Sequence, residues 1–189
     1  MECFRANGDR FDAPFIVSRK PAIPGDPTSP AVLQYEQPLG VFLGLLPRSA
    51  AVEVPRSRFT PVKTLGDLLS VSSDAYRYGD ALNLELAPAR MNGRPPFVGL
   101  DPQWFRSPRD LRERFPEPPA LLDAERLVIR GNLGFRGTLR CAGCVEISDM
   151  RRDRREMVRL DLPDTLTDVT AIYDERGISL LPNERRAAA

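Results

Sequence analysis

Leu127-Val-Ile-Arg-Gly-Asn-Leu133-Gly-Phe-Arg-Gly-Thr-Leu139-Arg-Cys-Ala-Gly-Cys-Val145-Glu-Ile147 repeats every six residues. Leu127, Leu133, Leu139 and Val145 share one phase, and Ile129, Phe135, Cys141 and Ile147 share another two residues on. Gly131, Gly137 and Gly143 share a third. Apolar residues two apart point to one face of a strand, and a glycine after each short strand permits a tight corner. The pattern predicts a parallel β-helix of hexapeptide turns, each coil covering the next. Cys141 then falls inside and Cys144 at a corner, so Cys141-Ala-Gly-Cys144 follows from the repeat. Arg130, Arg136 and Arg140 lie between inward positions and face water. A tetrahedral zinc site needs two more ligands than this pair, and no thioredoxin-like βαβ unit surrounds it for redox work.

Outward from the repeat the chain reads as mixed α/β. Phe15–Val17 and Val32–Glu36 are predicted strands around the Pro-rich loop 21–30. Pro38 suits the first turn of a helix running to Leu46. A second helix is expected from Thr64 to Tyr76, and a third from Ser107-Pro108-x-Asp110 to Phe115. Pro116–Pro119 is the expected boundary before the repeat. Val158, Leu160 and Leu162 alternate as a strand, and Ala171–Tyr173 with Ile178–Leu181 form a hairpin around 174–177. The charged stretch Met150–Met157 reads as a solvated turn or short helix.

Composition narrows the chemistry. The 189 residues hold no histidine, which removes Ser-His and Cys-His nucleophile pairs, histidine bases and histidine metal ligands. A histidine-dependent hexapeptide acyltransferase is excluded on that ground. A formal charge of +1 offers no footprint for nucleic acid or an acidic membrane surface. No apolar run approaches the ~20 residues of a membrane span. Residues 1–14 lack the apolar centre of a secretion signal, so the expected compartment is the cytoplasm. Lys20 and Lys63 are the two lysines among 27 Lys+Arg, which leaves 25 arginines. A lysine kept against that bias suits a place for a compact point charge where a planar fork does not fit.

Lys63 lies in Val54-Pro-Arg56-Ser-Arg58-Phe-Thr-Pro61-Val-Lys63-Thr-Leu-Gly-Asp67-Leu-Leu69. Pro55 and Pro61 bracket the cations and favour a stiff extended segment. Thr64-x-x-Asp67 opens a helix just after the lysine. This stretch resembles Val-Pro-Arg-Ser-Arg-Phe-x-Pro-Val-Lys-Thr-x-x-Asp-Leu-Leu of the UTP–glucose-1-phosphate uridylyltransferase family. Phe15–Lys20 and Ala31–Glu36 resemble that family's Ile-Val-Asn-x-Lys and Val-Ile-Gln-Leu-Glu-Thr segments. The similarity runs from about Phe15 to Ile147, and Gln37-Pro38 departs from the family's Thr-Ala.

The resemblance implies the C-terminal part of a Rossmann-like mixed α/β nucleotidyltransferase domain over residues 1–118. A short left-handed parallel β-helix over 119–165 and a tail over 166–189 follow. It implies formation of UDP-glucose and pyrophosphate from UTP and glucose 1-phosphate, with Lys63 contacting nucleotide phosphates and Lys20 a second, weaker contact. Arg56 and Arg58 are expected to brace the segment and pair with carboxylates. The family's Gly-rich loop, its uracil and glucose contacts and its Mg2+ ligands match segments upstream of Met1, so the isolated chain is expected to be inactive. The alternative expectation is a non-catalytic remnant that forms a homo-oligomer through its β-helix.

Overall fold

A computed structural model describes residues 14–23, 26, 28–44, 48–55, 58–80, 82–90 and 93–183. The chain divides into two compact units, Met1–Val54 and Pro55–Ala189.

In the first unit β1 (Ile16–Pro21) pairs antiparallel with β2 (Ala31–Glu36), Lys20 lying opposite Val32. Asp26 closes part of the intervening loop by accepting from the Thr28 N–H at 2.9 Å. The predicted helix from Pro38 to Leu46 is instead a 3-10 turn over Leu39–Gly44. Two glycines in six residues weaken helix propensity, and residues 45–47 lie outside the described set.

The second unit is built on stacked parallel strands. β5 (Phe97–Leu100), β6 (Ala120–Arg130), β8 (Arg140–Asp149) and β10 (Leu166–Asp174) run parallel in one sheet, with β11 (Gly177–Pro182) antiparallel at its edge. β7 (Leu133–Phe135) and β9 (Val158–Leu160) form a second parallel pair. The chain therefore alternates between two sheets. Ile129 lies opposite Ile147, eighteen residues on, which is three hexapeptides. The next step is longer: Ile147 lies opposite Ala171, twenty-four residues on, because residues 150–157 loop out before β9.

All eight predicted inward positions are buried, Leu127, Ile129, Leu133 and Ile147 completely. Arg130, Arg136 and Arg140 are exposed. Gly131, Gly137 and Gly143 have φ of +92°, +68° and +63°, the left-handed conformation that the corner reading requires. A Cβ on Gly143 would meet the Asp168 carboxylate, whose Oδ1 accepts from the Cys144 N–H at 2.8 Å. Burial pushes the Cys141 thiol up to about 12. Phe115 stacks on Phe135 at 4.9 Å between ring centres, which joins the residues before the stack to its core.

The first helix is shorter than the sequence suggested and the second matches it. α1 (Leu65–Val71) stops at Ser72, whose N–H and hydroxyl both donate to the Leu68 carbonyl. Such local side-chain bonding competes with helix continuation. The chain then turns into β3 (Tyr76–Tyr78), paired antiparallel with β4 (Leu84–Leu86). α2 (Pro108–Arg114) starts at a Ser107–Asp110 capping box, as expected.

Candidate functional site

Lys63 stands on a corner that is tied down on both sides. Upstream, the Arg58 N–H donates to the Pro55 carbonyl at 2.9 Å, a contact that the stiff extended segment suggested by the prolines would not make. The Thr60 hydroxyl then donates to the Leu84 carbonyl on β4 at 3.2 Å. Downstream, the backbone N–H groups of Lys63 and Thr64 both donate to Asp67 Oδ2, at 3.0 and 2.8 Å, and the Asp67 N–H returns a bond to Thr64 Oγ1 at 3.0 Å. This reciprocal box fixes the backbone of Lys63 as well as the helix start.

Burial raises the Asp67 carboxyl, but the Lys63 N–H, the Thr64 contacts and the nearby Lys63 ammonium outweigh it, leaving Asp67 below its ordinary range. Gly66 presses against β5 so closely that a Cβ would lie 2.1 Å from the Val98 carbonyl oxygen. Thus the backbone on either side of Lys63 is held while its side chain is exposed. Among the described residues no carboxylate lies within ion-pair distance of Lys63 or Arg58.

Two open clefts flank the motif. One of about 550 Å³ is lined by Thr60, Pro61, Asp67, Tyr76 and Pro95. The other, of about 650 Å³, runs from Thr64 and Gly66 past Phe97 to Pro102. Lys63 lines neither.

Lys20 belongs to the first unit, where its ammonium is 3.8 Å from Glu36 Oε1 in an exposed pair, and such pairs contribute little. Arg56 lies outside the described residues. Among the described residues no group of three metal-ligating side chains exists, and Cys141 and Cys144 are free thiols.

Sequence reasoning overlooked the buried polar groups that hold this unit together. Arg90 is 5% exposed and donates to the carbonyls of Leu121 at 3.0 Å, Leu122 at 2.7 Å and Ala124 at 2.6 Å, as well as to that of Arg94. Asp74 accepts from the N–H groups of Leu121 and Leu122 on the same stretch. Together they satisfy the backbone of β6 where its register on β8 shifts. Burial lowers the Arg90 guanidinium from its ordinary value, with nearby Tyr76 and carboxylates opposing. Nothing in the local pattern around Arg90 signals this role.

A third cleft, of about 450 Å³, holds Arg126, Arg130 and Arg154 near the ends of β5, β6 and β8. Each arginine there is already engaged. Arg126 lies 4.5 Å over the Phe97 ring, Arg130 pairs with Glu146 at 2.8 Å, and Arg154 donates to the Asp149 carbonyl at 3.4 Å.

The comparisons with known proteins converge. A family model described as UTP–glucose-1-phosphate uridylyltransferase matches residues 5–140. The chain is 33% identical over 133 residues to UTP–glucose-1-phosphate uridylyltransferase of Solanum tuberosum, covering 70% of this chain and 27% of that protein. It is 35% identical over 136 residues to the Saccharomyces cerevisiae enzyme of the same name, covering 71% of this chain and 27% of that protein. Among solved structures, a mutant UDP-glucose pyrophosphorylase from Leishmania major in complex with UDP-glucose matches with a TM-score of 0.68 at 30% identity, covering 90% of this chain and 35% of that one. A UDP-glucose phosphorylase from Trypanosoma brucei matches with a TM-score of 0.71 at 29% identity, covering 90% and 36%. The chain spans about a quarter of the length of the curated relatives it matches.

Proposed function

Because the chain belongs to the UTP–glucose-1-phosphate uridylyltransferase family, we propose that it is the C-terminal portion of an enzyme making UDP-glucose and pyrophosphate from UTP and glucose 1-phosphate. Its own contribution is Lys63. In this reaction a phosphate oxygen of glucose 1-phosphate forms a new bond to the α-phosphorus of UTP as the bond to the bridging β-phosphate oxygen breaks and pyrophosphate departs. Negative charge builds on the leaving oxygens. A cation held in place before the reaction stabilises that charge without reorganising.

The observation that carries this reading is the capping box that fixes the Lys63 backbone while, among the described residues, no carboxylate comes within ion-pair distance of its ammonium. A lysine whose role was surface pairing would be expected to have one in a chain with 26 Asp+Glu. The chemistry proposed for this chain is confined to Lys63. Lys20 we read as a lesser phosphate contact, and Arg56 and Arg58 as braces of the segment.

The test uses the chain completed by an upstream nucleotidyltransferase fragment or, in parallel, a full-length relative. Lys63→Ala is expected to lower kcat by more than about a hundredfold, the loss of a few kcal/mol of preorganised charge. Lys63→Arg restores part of it, and Lys20→Ala costs less. The 189-residue chain alone is expected to release no pyrophosphate. Near-normal turnover by the Lys63→Ala enzyme would overturn the assignment.

For the architecture we propose a Rossmann-like portion leading into a left-handed parallel β-helix. The eighteen-residue step between Ile129 and Ile147 supports it, since three hexapeptides per coil suit a three-sided stack. A second role, self-association through this β-helix, is favoured by the apolar Ile178, Leu180 and Leu181 left open on β11 at the edge of its sheet.

A further inference from the structure

We infer that Thr60 is a positioning residue for the transfer: its hydroxyl, fastened to the Leu84 carbonyl on β4, holds the upstream side of Lys63 in place. This rests on the Lys63 reading above and adds a second residue to it. The family pattern does not single Thr60 out, since it leaves open the position between Phe59 and Pro61.

The fastening point is itself fixed. β3 and β4 pair Tyr76 with Leu86, Arg77 with Glu85 and Tyr78 with Leu84. Arg77 and Glu85 form an ion pair at 2.8 Å across this ladder, and the Ala87 N–H donates at 2.9 Å to the carbonyl of Ala75, which is wholly buried. At the other end the Gly79 N–H donates to the Asn83 carbonyl at 2.8 Å. Bonded and non-bonded pairs alternate in an antiparallel ladder. The next pair, Tyr78 with Leu84, is therefore non-bonded, and the Leu84 carbonyl points away from β3. Among the described residues β3 and β4 are a two-stranded sheet, so no further strand meets that carbonyl. The Thr60 hydroxyl meets it instead, at 3.2 Å in a part-buried position, where a bond left unmade is costly.

From Thr60 the chain reaches Lys63 through Pro61 and Val62. Pro61 locks its own φ and favours an extended Thr60, so little slack separates the hydroxyl from the lysine. Downstream, the Lys63 N–H is held by Asp67 Oδ2 at 3.0 Å. Lys63 thus sits between a tie to β4 and a tie to α1. Without the first it swings about the second, and its ammonium meets the developing phosphate charge out of place. That charge appears only in the transition state, so the loss falls on kcat and not on KM.

The completed enzyme used for Lys63 tests this. Thr60→Val removes the donor at nearly constant volume and should lower kcat about tenfold, within the roughly hundredfold that a 1 Å misplacement costs, with KM for UTP unchanged. Thr60→Ser keeps the hydroxyl and should recover most of the rate. In a Lys63→Ala background Thr60→Val should have no further effect, because nothing remains to be positioned. On the 189-residue chain alone, amide hydrogen exchange at Lys63 should quicken in Thr60→Val while that of Ile129 and the melting profile are retained. A Thr60→Val enzyme as fast as the parent, or unaltered exchange at Lys63, would overturn the positioning role and leave the Lys63 assignment standing. An equal fall in both backgrounds would also overturn it, making the bond a prop of the fold. Near-normal turnover by Lys63→Ala would overturn both readings.

Discussion

Replacing Gly66 by alanine sets two effects of opposite sign against each other, and the structure decides between them. Gly66 is inside α1, where alanine is intrinsically favoured by about 0.8–1 kcal/mol. Its Cβ, however, would be placed 2.1 Å from the Val98 carbonyl oxygen and 3.1 Å from the Val98 carbonyl carbon. Both obstacles are backbone of β5, which is held by its parallel pairing to β6. No rotamer relieves the clash, so α1 must withdraw by roughly 1 Å before ordinary contact distance is restored. Withdrawal loosens the packing of Leu69, which is 4% exposed, and overpacking of this kind costs about 1–3 kcal/mol, occasionally more. We expect a net loss of about 2 kcal/mol, or a fall in Tm of some 4–8 °C for a chain of this size. Thermal and urea unfolding followed by the single tryptophan, Trp104 in the same unit, would measure it. In the completed enzyme kcat should also fall, because Lys63 is joined to Gly66 through the capping box. A Gly66→Ala chain as stable as the parent would refute the reasoning, since propensity would then outweigh the contact.

Arg90→Ala is expected to cost about 3 kcal/mol, because the carbonyls of Leu121, Leu122 and Ala124 lose a charged donor in a buried place. Arg90→Lys should recover only part of this, as an ammonium cannot span the same acceptors; a shift in urea midpoint worth less than about 1 kcal/mol would count against the clamp. The Asp67 carboxyl is lowered in the folded state, so its contribution is full above its unfolded value of 3.8 and is lost as pH falls through the lower folded value. Asp67→Asn should cost about 1 kcal/mol at neutral pH and flatten that acid limb, as read from urea midpoints between pH 2 and 6.

The stacked core was legible because its signal is local and repeated. Six-residue spacing reports directly which side of a strand each residue faces, and the burial of Leu127 through Ile147 follows it position by position. Capping boxes were legible for the same reason: Thr64 with Asp67, and Ser107 with Asp110, are three apart in sequence and in contact in space. The length of α1 was not, because the Ser72 and Ser73 hydroxyls bond back to the Leu68 and Ser70 carbonyls at its end. Nor was the Arg90 clamp, which joins positions more than thirty residues apart. The motif around Lys63 was recognisable as a family signature, yet its strand-like look came from the prolines alone. The backbone bond from Arg58 to Pro55 departs from that extended reading.

The unequal coils have a consequence for how this chain can change in length. β8 ends at Asp149, whose carboxylate is gripped by both ends of the Arg151 fork at 2.9 and 2.8 Å, and the stack resumes at Val158 under the Asn132 carbonyl. The residues between leave the coil and rejoin it, and β10 still pairs parallel with β8, its register shifting between Thr167 and Val169. Residue number is thereby uncoupled from register at this one corner. Lineages can gain or shed codons there, and a peptide tag or reporter can be spliced there, where the same change at Gly131 or Gly137 would throw every later strand onto the wrong face.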